Sequence, residues 1–133
     1  MIDHTGVNAS DFELNRAFYI QALAPLGYGV CLELEGGTGF GASPGERNDP
    51  GGDFWISAGE PQTPRSHVAF RAAGEEEVQA FYSAAIAAGG KDNGPPGERP
   101  HYHPGYYAAY VLDPDGHNIE VVYHGAGKKD VEP

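Results

Sequence analysis

The sequence predicts an α+β fold made of two tandem βαβββ modules, and three observations predict it. First, the chain is written twice. Ala17-Phe18-Tyr19 recurs as Ala80-Phe81-Tyr82, and the same offset of 63 sets His4 on His67, Leu23 on Ile86, Ala24 on Ala87 and Gly27 on Gly90. One residue of slippage later, Gly52 to Ile56 lies over Gly116 to Glu120. Self-similarity at a fixed period marks a repeated supersecondary unit. Second, each copy opens with a short strand pattern, passes to an amphipathic helix and closes with strand patterns. Third, 133 residues with 40% hydrophobic content suit one domain with a core of its own. The domain is read as residues 1–124, with module 1 at 1–61, module 2 at 62–124 and a polar tail at 125–133.

In module 1, residues 2–9 read as a strand and Asp11 to Ala24 as a helix. Ser10 or Asp11 can cap that helix, and Glu13 suits its positive end. Phe12, Phe18, Ile20 and Leu23 supply its apolar positions, and Pro25 with Gly27 ends it. Strands follow at 28–34, Phe40 to Ser43 and Phe54 to Ala58, the last after the loop Pro44 to Gly52. Module 2 starts with the strand Ser66 to Arg71. Gly74 and Glu75-Glu76-Glu77 open its helix, which runs to about Ala88 with Val78, Phe81, Ala85 and Ile86 inward. Gly89 to Gly105 reads as a loop of Gly, Pro and charges. Tyr106 to Leu112 and Asn118 to His124 are the closing strands, joined by the turn signal Asp113-Pro-Asp-Gly116.

Composition excludes several classes. Twenty Gly and 11 Pro show no triplet period, so collagen is out, and their two clusters mark loops. Eight Lys+Arg against 19 Asp+Glu give a net charge of −11, which repels nucleic acid and anionic membrane surfaces. The single Cys31 rules out an internal disulfide framework and a Cys-rich zinc site, and its apolar surroundings suit a packed thiol. There is no membrane-length apolar run and no signal-peptide pattern at Met1-Ile-Asp-His-Thr, so a cytoplasmic location is expected.

Six histidines stand at 4, 67, 101, 103, 117 and 124. His4 and His67 occupy the same place in the first strand of each copy. Glu120 interrupts the apolar strand Asn118-Ile-Glu-Val-Val122, where a lone buried carboxylate is costly. Two imidazoles and a carboxylate form a set that divalent metals use while keeping positions open for water or ligand. The alternative is that His4 is a surface residue, His67 a hydrogen-bonded strand histidine and Glu120 a solvated side chain. His117, in a turn, and His124, at a strand end, read as surface residues.

The duplicated βαβββ pattern, the paired histidines and the ending Asp113-Pro-Asp-Gly-His-Asn-Ile-Glu120 resemble the vicinal oxygen chelate superfamily. That group holds glyoxalase I, the bleomycin-resistance binding proteins, fosfomycin-resistance enzymes and extradiol dioxygenases. The resemblance covers residues 2–124. It implies a cupped, barrel-like mixed sheet around one divalent metal ion (Zn, Ni, Mn or Fe(II)) held by His4, His67 and Glu120. It also implies a homodimer. The Gln62-Thr-Pro-Arg linker is short and stiff, which disfavours closing one module's open face with the other of the same chain. His4 would then come from one subunit, and His67 with Glu120 from its partner.

The sequence departs from glyoxalase I at the fourth metal ligand, a Glu in the last strand of module 1. The repeat sets Ile56 over Glu120, with Trp55 and Ser57 beside it, and none is a carboxylate. Arginines able to hold a glutathione carboxylate are few: Arg16, Arg47, Arg65, Arg71 and Arg99. Ala109-Tyr110-Val-Leu-Asp-Pro-Asp-Gly116 through Glu120 is also similar to the extradiol dioxygenase signature, with Tyr110 on its tyrosine and His101 or His103 near its upstream histidine. The acid/base histidine of those enzymes has no counterpart, since residues 5–66 contain no His.

The loop Arg99-Pro-His101-Tyr-His103-Pro-Gly-Tyr106-Tyr107 crowds amphipathic rings that suit a small planar ligand. Strand alternation sets Tyr106, Ala108 and Tyr110 on one face and Tyr107 with Ala109 on the other. Tyr110, His103 and His101 are the candidate proton-transfer residues, and Trp55, Phe54, Tyr106 and Ala108 the candidate ligand-lining ones. The expected function is a glyoxalase-like metalloprotein that activates vicinal oxygens of a small molecule, not an ordinary glutathione glyoxalase. The alternatives are a metal-free binding protein of the bleomycin-resistance kind, whose acidic surface suits cations, and an extradiol-like oxygenase.

Overall fold

A computed structural model describes residues 1–46 and 49–125. Arg47, part of the Pro44–Gly52 loop and all of the polar tail beyond Gly125 lie outside the described residues. The element order is β1 (Thr5–Ala9), α1 (Phe12–Leu23), β2 (Gly29–Leu34), β3 (Gly37–Gly41), β4 (Phe54–Ala58), β5 (His67–Arg71), α2 (Glu75–Ala87), β6 (Lys91–Glu98), β7 (Tyr107–Leu112) and β8 (Asn118–Tyr123). Two four-stranded mixed sheets result, in the orders β1-β4-β3-β2 and β5-β8-β7-β6. In each, the first strand runs parallel to the last, and the others pair antiparallel. No described helix is long and apolar enough to cross a membrane.

Local chemistry explains the helices. Asp11 caps α1 by accepting from the Leu14 amide at 3.1 Å, and Gly27, with φ of 78°, ends the 3₁₀ turn that follows. Phe18, Tyr19, Ala22 and Leu23 of α1 meet Val78, Phe81 and Ala85 of α2 in one buried core. Ile20 and Ile86, expected inward, are 39% and 37% exposed, because packing selected the neighbouring positions.

Two strands differ from the sequence reading. Strand β3 lies at 37–41 rather than 40–43, and β6 occupies 91–98, inside the stretch read as loop. Lys91-Asp-Asn-Gly-Pro-Pro-Gly-Glu98 carries no apolar alternation. Its strand identity comes from backbone pairing to β7, with register shifts at Asp92/Gly94 and Gly94/Gly97.

The helix-side faces of both sheets share the core. Phe54 of β4 meets Phe70 of β5 at 5.1 Å between centroids, and Tyr19 meets Phe18 edge-on and Phe54 at a tilt. The Asp113-Pro-Asp-Gly-His117 turn bolts module 2 to module 1. Asp115 accepts from the Ser10 amide, the Ser10 hydroxyl and Asn15 Nδ2 at 3.1, 2.5 and 3.0 Å. Asp113 accepts from the Tyr19 hydroxyl at 2.5 Å and from the His117 amide at 3.0 Å. His117, expected at the surface, is fully buried. Its Nδ1 accepts from the Ser66 amide at 3.0 Å while Nε2 donates to the Asn8 carbonyl at 3.0 Å, which fixes a neutral tautomer.

Candidate functional site

With the helix-side faces buried, chemistry is left to the opposite faces. In β8, Ile119 and Val121 point into the core, so Glu120 points away from it. Glu120 pairs laterally with Ala69 of β5 and Tyr110 of β7. Small Ala69 lets His67, two residues earlier on the same face, reach diagonally across. His67 Nε2 stands 2.8 Å from Glu120 Oε1. The Glu120 side chain is only 3% exposed and that of His67 is 53% exposed, so the acid is sheltered and the imidazole faces solvent. The Tyr106 hydroxyl donates to Glu120 Oε2, so both carboxylate oxygens are engaged. This satisfies the requirement that a buried carboxylate find partners.

Two phenols border this carboxylate. Burial first, and the Glu120 charge second, push Tyr110 up to about 12. Burial, then the hydrogen bond to Glu120, raises Tyr106 further still. Both stay protonated at neutral pH and act there as donors rather than bases. Tyr106, Ala108 and Tyr110 do share this face, and Ala108 is fully buried beneath it. The Arg99 guanidinium carbon lies 5.4 Å from the Tyr110 ring centroid.

The other expected residues are placed as follows. His103 Nε2 lies 2.8 Å from His124 Nδ1, the two rings stack, and the His103 ring is 5.2 Å from Tyr106. His124, expected as a surface residue, is thus half-buried in this cluster. His101 is exposed and packs on Tyr102 at 4.2 Å. His4 is not gathered with His67 and Glu120 in one chain. It bonds Asp3 at 2.7 Å, a contact that raises its pKa, and the ligand-type group it joins is Asp3, His4 and Asp49. Phe54 lies on the core face, 1% exposed, at the floor of a cleft of about 410 Å³ that also reaches Asp3, Tyr28 and His67.

The register also corrects the repeat alignment. Gly6 pairs with Trp55 as Ala69 pairs with Glu120. Trp55, not Ile56, is therefore the counterpart of Glu120, and Ile56 is fully buried in the core. A bed of glycine seats the indole. A Cβ on Gly39 would come within 2.7 Å of its ring and 2.0 Å of the Gly51 carbonyl, and a Cβ on Gly51 within 3.1 Å of the ring. Leu32 and Leu34, 42% and 59% exposed, lie on β2 opposite Gly39 and Gly37.

Sequence reasoning passed over Asp113, Asp115 and His117 as functional cement between modules. The signal was their spacing in one turn, but their partners Ser10, Asn15 and Tyr19 lie about a hundred residues away.

A family model described as "Glyoxalase/Bleomycin resistance protein/Dioxygenase superfamily" matches residues 1–121. The chain is similar to a glyoxalase/bleomycin resistance protein from Albidiferax ferrireducens, with 30% identity, a TM-score of 0.75 and coverage of 92% of this chain and 98% of the other. A lactoylglutathione lyase from Agrobacterium tumefaciens shares the fold at 19% identity, with a TM-score of 0.65 and 92% of each chain covered. A glyoxalase/bleomycin resistance protein/dioxygenase family enzyme from Burkholderia phytofirmans does so at 18% identity, with a TM-score of 0.67 over 91% of this chain and 96% of that one. No curated protein shows significant sequence similarity to the chain.

Proposed function

The chain belongs to the glyoxalase/bleomycin resistance protein/dioxygenase superfamily, and on that premise we propose that it is a divalent-metal protein acting on vicinal oxygens of a small molecule. The observation that carries this reading is Glu120, a carboxylate buried on a sheet face with one oxygen 2.8 Å from the exposed imidazole of His67. An imidazole nitrogen and a carboxylate oxygen at that spacing suit Zn, Ni, Mn or Fe(II). His67 and Glu120 would hold the ion with His4 of a second copy, since His4 does not join them in its own chain. A bound ion supplies Lewis acidity to two neighbouring ligand oxygens.

The chain's own groups do the remaining work. Tyr106 occupies Glu120 Oε2, which leaves Oε1 to face His67. Tyr110, protonated at neutral pH, donates a hydrogen bond to charge developing on a ligand oxygen. His103 donates from Nδ1 to the Pro104 carbonyl, so its Nε2 accepts the hydrogen that His124 Nδ1 donates, and the pair is the candidate proton relay beside Tyr106.

The test is metal analysis after mixing. Protein purified without chelator should carry about one divalent ion per site, and His4→Ala and Glu120→Gln variants alone should be nearly empty. Their heterodimer should regain one intact site. A light-scattering monomer that keeps its metal would overturn the shared site. A His67→Ala variant with full occupancy would overturn the ligand assignment.

Glutathione hemithioacetal is expected to be a poor substrate, because Trp55 stands where module 1 would offer a second carboxylate. Robust lactoylglutathione formation with any added metal would contradict this. A second reading, metal-free sequestration of a small ligand, is favoured by one feature: Trp55 with Leu32 and Leu34 forms a largely apolar floor that offers no metal ligand. Full ligand binding by chelator-treated protein would select it.

A further inference from the structure

Among the described arginines, Arg99 is set apart by the ring beneath it, its guanidinium carbon lying 5.4 Å from the Tyr110 centroid; Arg65, like it, bonds only carbonyls. Arg16 is paired with Glu33 at 2.6 Å, and Arg65 is tied to the Asp115 and Gln62 carbonyls. Arg99 bonds only carbonyls, Pro95 O at 2.8 Å and Glu98 O at 3.4 Å, and no described carboxylate lies within ion-pair distance of it. Its positive charge is thus fixed in place but not neutralised, in a chain of net charge −11.

The fixing is built into the irregular strand β6. A Cβ on Gly94 would lie 2.9 Å from Tyr110 Cδ1 and 3.3 Å from Arg99 Nη2, and a Cβ on Gly97 would lie 3.1 Å from Arg99 Nη1. Gly94 also has φ of 147°, in the region that favours glycine. Both glycines therefore make room for a guanidinium laid over Tyr110. The Arg99 amide donates to the Tyr106 carbonyl at 2.7 Å, which pins the loop at its base. Tyr110 in turn lies 6.4 Å from His67, centroid to centroid. The cation sits one ring away from the His67–Glu120 pair.

We propose that Arg99 is an anion-recognition residue, and that the ligand of this site is a planar molecule bearing a carboxylate at the end away from its vicinal oxygens. This rests on the site assignment above. A guanidinium is suited to a carboxylate because its planar fork matches two oxygens, and holding it in place beforehand reduces the ordering needed on binding. The rings of Tyr102, Tyr106 and Tyr110 make the lining suitable for a flat ligand.

The experiment is calorimetric titration of the zinc-loaded protein with two probes, catechol and 3,4-dihydroxybenzoate, which differ only in the carboxylate. The acid should bind roughly tenfold more tightly or better, as a charge-assisted pair requires. Arg99→Gln should abolish the difference. Arg99→Lys keeps the charge but lacks the fork, so it should retain only part. Gly97→Ala leaves net charge unchanged and crowds Nη1, so it should lower the preference several-fold. Thermal melts should confirm that each variant is folded. Equal affinity for the two probes, or a preference that survives Arg99→Gln, would overturn the inference. If both probes bind equally and Glu120→Gln abolishes binding, the site assignment stands while the anion inference falls. If neither probe binds, both fall.

Discussion

The two modules share a topology and differ in what they do with the face left open. Module 1 lays a Trp on a glycine bed, with two exposed leucines on the neighbouring strand β2. Module 2 places a buried carboxylate at the matching register, with an imidazole, two phenols and a guanidinium around it. The backbone solution is similar in both: glycines of the hairpin, in strand or connecting loop, hollow the sheet so that one flat group can lie against it. Gly39 and Gly51 seat Trp55, and Gly94 and Gly97 seat Tyr110 with Arg99. A duplicated scaffold can therefore specialise by a single register position, Trp55 in one copy and Glu120 in the other, while the cores behind remain alike.

If that contrast holds, matched substitutions should separate function from stability. The largest effect is expected for Glu120→Gln in module 2. A neutral amide is a poor ligand, so metal affinity should fall by about 100-fold or more, the scale seen when groups around a metal are removed. Equilibrium dialysis against zinc would measure it. Trp55→Ala in module 1 should do the reverse, leaving zinc affinity near wild type while destabilising the fold by about 3 kcal/mol. Urea unfolding would read that loss. Equal effects of the two substitutions on zinc would break the comparison.

A smaller effect sharpens it. Gly39→Ala introduces a Cβ within 2.0 Å of the Gly51 carbonyl, which is backbone and cannot swing aside. A loss of about 2 kcal/mol is expected, as for other overpacked sites. Chemical denaturation of this variant with Trp55→Ala in the same chain would check the cause. Removing the indole should recover only part of the loss, because the carbonyl clash remains.

How far the sequence disclosed this contrast depends on which interactions are local. The repeat, both helices and strands β1, β4, β5, β7 and β8 are carried by apolar periodicity and caps, so they were readable. Strand β6 was not, because its glycines and prolines serve a neighbouring strand's side chains and no apolar pattern of their own. The pairing of Glu120 with His67 was foreshadowed by a carboxylate inside an apolar strand. The placement of Arg99 over Tyr110 was hidden, since nothing in its local sequence announces that ring. Ile56 was set over Glu120 because the repeat slips between the first and last strands, and one position of slippage turns a side chain to the other face. His117 looked like a turn residue. Only contact between modules shows it to be a buried bridge from Ser66 to Asn8.

The smallest expected effect concerns the seam between the modules. Burial works against ionisation of Asp115, but the bonds from the Ser10 hydroxyl, the Ser10 amide and Asn15 outweigh it and hold its carboxyl below the ordinary range. A carboxyl depressed in the folded state adds stability at pH values above its unfolded value of about 3.9. That increment is lost as pH falls through the folded value. Asp115→Asn keeps one acceptor oxygen and removes the charge, so it should destabilise by about 1 kcal/mol at pH 7. At about pH 3, below the ordinary carboxylate value, the unfolded chain has already taken up the proton, so the difference between the two proteins should shrink. Urea midpoints of both proteins at the two pH values would measure this. A difference that stays constant with pH would show that the seam is held by shape and neutral hydrogen bonds, and that the Asp115 charge contributes nothing to it.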